Sequence, residues 1–325
     1  MDRIWKDVLT AFFLGFLLPG IATNTIIALG GEKPVPEETE PPALHCPVQV
    51  RGSDGIREME LEEYIAGVVL AEMPASFETE ALRAQSVAAR TYTRKAMATG
   101  GRHGDGSICT ESSCCQAYIS REDYLQQGGR AEDADKVRTA CRETEGAVLI
   151  YRGELIEATY FSCSGGETES ALAVWGGDIP YLQSVPSPGE EGSAVYEQTL
   201  TFTPEAFAEA LGLNLTGSPK DWVTITTYTE GGGVAAMTVG GKVYSGTTLR
   251  SLLGLRSTAF TLTAEENRIL ITTRGYGHRV GMSQYGAEAM ALSGSAFREI
   301  LAHYYPGTDL IWLETDAMEE LAQVN

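Results

Sequence analysis

The chain has 325 residues, 43% of them apolar, and carries 44 acids against 24 bases for a formal charge of −20. That length and apolar content supply a sizeable core and exclude global disorder. A chain this acidic repels phosphate backbones, which excludes nucleic-acid binding. Its field does not attract glycans or anionic lipids either, so a polymer substrate has to be held by a shaped groove.

From Val8 to Gly31 no residue is charged. A run of about 24 such residues crosses a hydrocarbon layer of about 30 Å. Arg3 and Lys6 precede it and Glu32 follows, which places the N-terminus inside and the remainder outside. A cleaved leader is the other reading, but Ala22-Thr23-Asn24 is a poor cleavage site. Residues 1–31 are therefore expected to form a single membrane anchor. Residues 32–47, rich in proline and glutamate, form an extended spacer, because prolines and like charges cannot bury a core.

The body, residues 48–325, mixes both periodicities and predicts an α+β fold. Leu61 to Val69 reads as a short helix, with Glu62 and Glu63 on its solvated face. Glu78 to Met97 is the strongest helix, with Ala81, Leu82, Gln85, Ala88, Ala89 and Tyr92 at helical spacing and Pro74 and Ser76 just before its start. Gln85 and Tyr92, seven apart, share a face. Residues 148–151 and 156–161 read as strands joined by a turn at Arg152-Gly153-Glu154. Ser187 to Gly192 is a loop and a candidate boundary. A change of character follows: a helix over 203–211 and strands over 223–228, 234–239 and 242–244 suggest an inserted α/β subdomain at about 193–265. Arg268 to Arg274 and a helix over 282–292 return the chain to the main body.

Cysteine usage leaves two readings open. Outside the cytoplasm six cysteines suggest bridges. Yet His103, Cys109, Cys114 and Cys115 lie within 13 positions and offer the nitrogen and sulfur that four-coordinate zinc takes. Cys163 and His278 are, in addition, the minimum pair for a cysteine nucleophile.

Four ordered stretches then carry a resemblance. They are Tyr64-Ile65-Ala66-Gly67-Val68-Val69-Leu70-Ala71-Glu72-Met73-Pro74 continued by Glu80 to Tyr92; Tyr160-Phe161-Ser162-Cys163-Ser164-Gly165-Gly166-Glu167-Thr168; Val174-Trp175-Gly176 with Pro180-Tyr181-Leu182; and Gly275 to Ala287. Together they resemble the stage II sporulation protein D family, from about Ile56 to Tyr305. The resemblance implies a lytic transglycosylase that cuts MurNAc–GlcNAc bonds of peptide-stripped peptidoglycan and leaves 1,6-anhydro-MurNAc ends. It implies work during engulfment at the sporulation septum, outside the membrane on the mother-cell side. The partners it implies are an amidase/endopeptidase (stage II protein P) and a membrane protein (stage II protein M). Relatives of the domain include an amidase enhancer, so a non-catalytic glycan-binding enhancer is the alternative.

On that resemblance Glu72 is the catalytic acid/base. Its apolar neighbours Ala71, Met73 and Pro74 favour a raised carboxyl pKa, and its bland role would be a cap or a pair with Arg83 or Arg90. One carboxyl suffices when the substrate's own C6 hydroxyl closes the ring, in contrast to the two carboxylates of ordinary glycosidases. Gln85, Tyr92, Tyr160, Ser162, Ser164, Trp175, His278, Gln284 and Tyr285 are the expected substrate-binding residues, with Tyr181 a further ring that can stack on sugar. His103, Cys109, Cys114 and Cys115 map onto the zinc set of some members, Cys114 standing where those have His. The zinc would be structural, and catalysis would need no cofactor.

Overall fold

The computed structural model describes residues 46–313 apart from 53 and 54. The expected anchor over 1–31 and nearly all of the spacer lie outside the described residues. The spacer's last residue, Pro47, already opens the first strand. Among the described residues no helix is long and apolar enough to cross a membrane.

The first strands, β1 (Pro47–Gly52) and β2 (Gly55–Glu60), form an antiparallel hairpin that runs into α1 (Leu61–Glu72) and α2 (Thr79–Thr99). A short β3 (Ile108–Cys109) pairs parallel with β1. After it come α3 (Arg121–Gln126), α4 (Ala131–Arg142) and β4 (Ala147–Tyr151). Of the predicted strand over 156–161 only the last two residues are a strand, and the turn expected at Arg152-Gly153-Glu154 gives way at Glu154 to a separate short strand. Glu154–Leu155 (β5) pairs with β4, and Tyr160–Phe161 (β6) pairs elsewhere, with a buried linker containing Ile156 and Ala158 between them. Ile156 and Ala158 are buried like alternate positions of a strand, so residues 156–161 read as one run.

The rest of the chain begins with α5 (Ala171–Trp175), β7 (Glu197–Phe202) and α6 (Pro204–Ala210). The meander β8 (Val223–Tyr228), β9 (Val234–Val239) and β10 (Lys242–Ser245) leads into α7 (Gly246–Leu253). Next come β11 (Phe260–Ala264), β12 (Ile269–Arg274) and β13 (Met282–Ser283), then α8 (Gln284–Leu292), α9 (Phe297–Tyr304) and β14 (Asp309–Trp312). Strand β13 pairs parallel with β6, and β14 pairs antiparallel with β4.

Buried apolar side chains fall into two clusters. The larger surrounds α2, against which α1, α4, α8, α9 and β4 pack. Ala81, Leu82, Ala84, Val87, Ala88 and Ala89 are fully buried there. Small side chains on several faces let neighbouring helices come close, and each large apolar chain in the cluster contributes about 1.5–3 kcal/mol on burial. The smaller cluster gathers Phe207, Trp222, Met237, Val239, Leu249, Phe260 and Ile271. Strand β12 was expected to be the return into the main body, but it pairs with β7 and β11 and supplies Ile269 and Ile271 to this second core.

A buried bidentate pair fixes the first core. Arg90, 1% exposed, donates to both carboxylate oxygens of Glu62 at 2.7 and 2.5 Å and to the carbonyls of Cys141 and Ala147. Glu62, expected on the solvated face, is thus the counter-ion that allows a guanidinium inside the core. A second buried pair joins the later segments. Arg279 and Glu169, both nearly inaccessible, meet at 3.2 Å. Arg279 also donates to the carbonyls of Ser164, Glu167 and Gly231, each at 2.7 Å.

Candidate functional site

Glu72 is the last residue of α1. The helix stops there because Pro74 disfavours helical geometry at the residue before it, and Met73 is extended, with φ −124° and ψ 142°. This break leaves the Glu72 carboxyl at a cleft of about 830 Å³. Its Oε1 accepts from the Ala117 N–H at 2.9 Å, and its Oε2 accepts a longer bond, 3.5 Å, from Gln284 Nε2. Burial pushes the carboxyl above the usual range, and the two hydrogen bonds only partly oppose it. Among the described residues Glu72 pairs with no arginine: Arg83 is held by Glu80 and Glu143, and Arg90 by Glu62.

Gly67 explains how Ala117 reaches the acid. A Cβ at position 67 would stand 2.3 Å from the Tyr118 ring and 2.7 Å from the Ile119 carbonyl. Without one, residues 117–119 lie against α1, with Ile119 N–H bonded to the Gly67 carbonyl at 3.2 Å. The neighbouring Gln116 is buried and accepts from the Tyr160 hydroxyl at 3.0 Å while donating to Thr93 at 3.0 Å. Tyr160 stays a protonated donor, because burial first and the nearby Glu72 second raise its pKa well above the ordinary phenol range.

Five of the nine expected substrate-binding residues line this cleft with Glu72: Tyr92, Tyr160, Ser162, Trp175 and His278. Gln284 reaches the acid directly. Three are elsewhere. Gln85 is completely buried within the first core; it shares an angular face with Tyr92, but two turns along the axis that face meets packed helices instead of the cleft. Ser164 is also fully buried and donates to Glu190 at 2.8 Å. Strand β6 ends at Phe161, so the alternation that would have aligned Ser164 with Ser162 does not extend that far. Tyr285 packs edge-on against Phe77 at 5.0 Å. Tyr181 borders the cleft but is mostly buried, its hydroxyl accepting from the Glu157 N–H at 3.1 Å.

His278 lies between the rings of Phe161 and Trp175, at 5.5 and 5.3 Å. Its Nδ1 accepts from the Val280 N–H at 3.1 Å. Burial first, then the Arg250 charge, lower its pKa to about 4, so it is a neutral, fixed ring at neutral pH. Trp175 and Tyr276 are 48% and 44% exposed, and both line the cleft with ring surface of the kind that stacks on sugars.

The cysteine-nucleophile pair fails. Cys163 is fully buried, lies outside the cleft lining, and donates to Glu190 at 3.2 Å. Burial and that carboxylate push the thiol up to about 12, so no thiolate forms near neutral pH.

Four groups at the site carried no sequence signal. Glu190, 1% exposed, accepts from Cys163, Ser164, Gly165, Ser187 and Ser283, and so ties the expected boundary loop into the body. Glu157 brings a second carboxylate to the cleft, 4.0 Å from Lys95. Arg102 and Arg250 line it as well. A neighbouring groove of about 710 Å³ is lined by Ala71 and Tyr118 as well as Arg57, Leu70 and Asp123, so both cavities border the segments that hold Glu72.

His103, Cys109, Cys114 and Cys115 converge, their donor atoms all within 4.8 Å of one another. Cys114 and Cys115 Sγ are 3.9 Å apart, and His103 Nε2 is 3.8 and 3.6 Å from them. Zinc with tetrahedral sulfur and nitrogen ligands requires edges of roughly 3.5–3.8 Å. The adjacent cysteines therefore both reach a common centre, and the donor set fits a zinc ion. All six cysteines are free thiols in the structure.

Comparison with known proteins follows from the same segments. The stage II sporulation protein family model matches residues 50–151, which contain Glu72, Ala117 and all four thiol and imidazole donors. The chain is 39% identical to stage II sporulation protein D of Bacillus amyloliquefaciens, over 90% of this chain and 85% of that one. It is 40% identical to stage II sporulation protein D of Bacillus subtilis (strain 168), over 82% and 79%. It is also similar, at 29% identity, to an amidase enhancer of Bacillus subtilis, covering 76% of this chain and 40% of that protein.

Proposed function

The chain belongs to the stage II sporulation protein D family, and from that premise we propose that it is a lytic transglycosylase of peptide-stripped peptidoglycan with Glu72 as its acid and base. The observation that supports this most is a single desolvated carboxyl, raised in pKa, at the break between α1 and the next loop, opening into a cleft with exposed aromatic faces. The protonated carboxyl gives its proton to the glycosidic oxygen as the C1–O bond breaks. The carboxylate then takes the proton of the MurNAc C6 hydroxyl as that oxygen bonds to C1, which closes the anhydro ring and restores the acid. Ala117 N–H and Gln284 aim the carboxyl without holding it ionised. A second groove, lined by the neighbouring Ala71 and Tyr118, suits a polymer that must be gripped beyond the bond cut. An amidase that strips the strands is part of the same proposal, as is a membrane-tethered location outside the cytoplasm.

Mass spectrometry of products from peptide-free glycan tests the reaction. Anhydro-MurNAc ends are expected. Reducing ends instead would give the second step to water and bring Glu157, the other carboxylate of the cleft, into the mechanism. Binding without any cleavage would favour a glycan-binding enhancer, the reading that similarity to the amidase enhancer supports.

The same proposal includes one structural zinc held by His103, Cys109, Cys114 and Cys115. When bound it would pin the loop whose next residues, Gln116 and Ala117, contact Tyr160 and Glu72. Purified protein is expected to contain one zinc per chain by atomic emission. Cys114→Ser should lose it, lower the melting temperature by roughly 5–10 °C, the shift about 2–4 kcal/mol makes in a body of this size, and weaken cleavage. Metal-free protein of unchanged stability and activity would remove zinc from the account.

A further inference from the structure

The cleft contains a cation that no carboxylate among the described residues compensates. Arg250 lies on α7, in the second core, and reaches the cleft that Glu72 lines. It is half-buried, and burial lowers its pKa below the ordinary guanidinium value. Among the described residues no carboxylate pairs with it, although acids outnumber bases 44 to 24. The other cations of the cleft are engaged. Lys95 lies beside Glu157 and donates to the Leu155 carbonyl at 3.0 Å, and Arg102 is bonded to the Tyr92 hydroxyl. His278, whose ring the charges of Arg250 and Arg102 both reach, is neutral and adds no third charge. Removing a guanidinium from water without a counter-ion is unfavourable, and a ligand that supplies the anion recovers that cost. The geometry points to an anion subsite.

We propose that Arg250 binds the free lactyl carboxylate of a MurNAc residue and so selects glycan from which the stem peptides have been removed. This rests on the glycan-cleaving reading of the same cleft. The chemistry separates the two substrates. In a strand that keeps its stem peptide, the lactyl carbonyl is a neutral amide followed by bulk; in a stripped strand it is a carboxylate that a guanidinium fork can take through two hydrogen bonds. Trp175 and Tyr276, the exposed rings of the same cleft, would hold the sugar faces while Arg250 reads the substituent at O3.

The test uses purified full-length protein and two probes made from one preparation: peptide-free glycan, and the same glycan with its lactyl carboxylates converted to methylamides. Amidation should lower kcat/KM of the wild type by about 10–100-fold, the span of a lost charge-assisted hydrogen-bond pair. Arg250→Met, which keeps the aliphatic stem, should lose a similar factor on the free acid and become indifferent to amidation. Arg250→Lys should recover part of the preference. Equal rates on both glycans for the wild type, or a preference that survives in Arg250→Met, would overturn the proposal. The amidation arm requires no variant to fold. Co-sedimentation with the two glycans reads the subsite without chemistry. If the wild type cleaves neither glycan, the transglycosylase reading falls, while a binding preference for the acid form that Arg250→Met abolishes still supports the subsite, and equal binding overturns it.

Discussion

Glu72→Gln is expected to lower cleavage of peptide-free glycan by about 10²–10⁴-fold, the usual contribution of a general acid, with the fold retained and its melting temperature at neutral pH unchanged or higher. Gln keeps the shape and an oxygen for the Ala117 N–H but cannot deliver a proton. The stability half follows from linkage. Burial raises the folded-state pKa of Glu72 above that of the unfolded chain. The folded protein therefore holds this proton more tightly, and the group's favourable contribution is full below the unfolded value. It declines as pH rises from about 4.5 through the raised folded value. At neutral pH the variant lacks a buried carboxylate and that cost disappears. The wild-type kcat/KM should correspondingly fall on an alkaline limb whose midpoint lies above the ordinary glutamate value. Product analysis and thermal unfolding of the two proteins check both halves. A Glu72→Gln protein of full activity would remove the residue from the mechanism.

Arg279→Met should cost about 3–5 kcal/mol of folding stability, the penalty for breaking a buried pair from one side. The guanidinium lies between Glu169 and three carbonyls, and methionine replaces none of its donors. Glu169 would remain inside with only Thr229 and the Gly233 N–H on one carboxylate oxygen, its other oxygen having no partner even now. Because Gly231 and Gly233 belong to the β8–β9 turn and Ser164 and Glu167 to the segment after β6, the loss loosens the tie between them. Urea unfolding should show it as a lower midpoint. Adding Glu169→Gln should recover a substantial part, because the stranded charge is then gone. Unchanged stability in Arg279→Met would mean that water replaces the pair freely.

Four helices were legible because their apolar spacing is local, whereas α3, α4, α5, α7 and α9 were not read from the sequence. The segment over 78–97 is observed as Thr79–Thr99, and the helix over 203–211 as Pro204–Ala210. Strands 223–228 and 234–239 appear with the expected bounds. The convergence of His103, Cys109, Cys114 and Cys115 was legible for a different reason: the four residues are close in sequence and chemically unlike their surroundings. What distant segments do to one another was not legible. Position on a helix face placed Gln85 with Tyr92, but only the packed neighbours decide that one is core and the other cleft. Glu190 lay in a stretch that composition reads as a solvated loop; the serines and backbone amides it collects come from residues 163–165, 187 and 283. Arg250 lies well over a hundred residues from Glu72 in sequence, inside a segment expected to be an insert, and nothing local to it indicates that it faces the cleft.

The place where α1 stops has a consequence for turnover. The peptide units of this 12-residue helix point their carbonyls toward the end that Glu72 occupies, and its final turn contains no basic side chain. Aligned dipoles give that end a partial negative charge near half an elementary unit, which disfavours an anion there by about 0.3–1 kcal/mol. Backbone polarity thus works in the same direction as desolvation. On the proposed reaction, the deprotonated state left after bond scission would face repulsion from its own helix, so the helix end itself would favour return of the proton from the C6 hydroxyl.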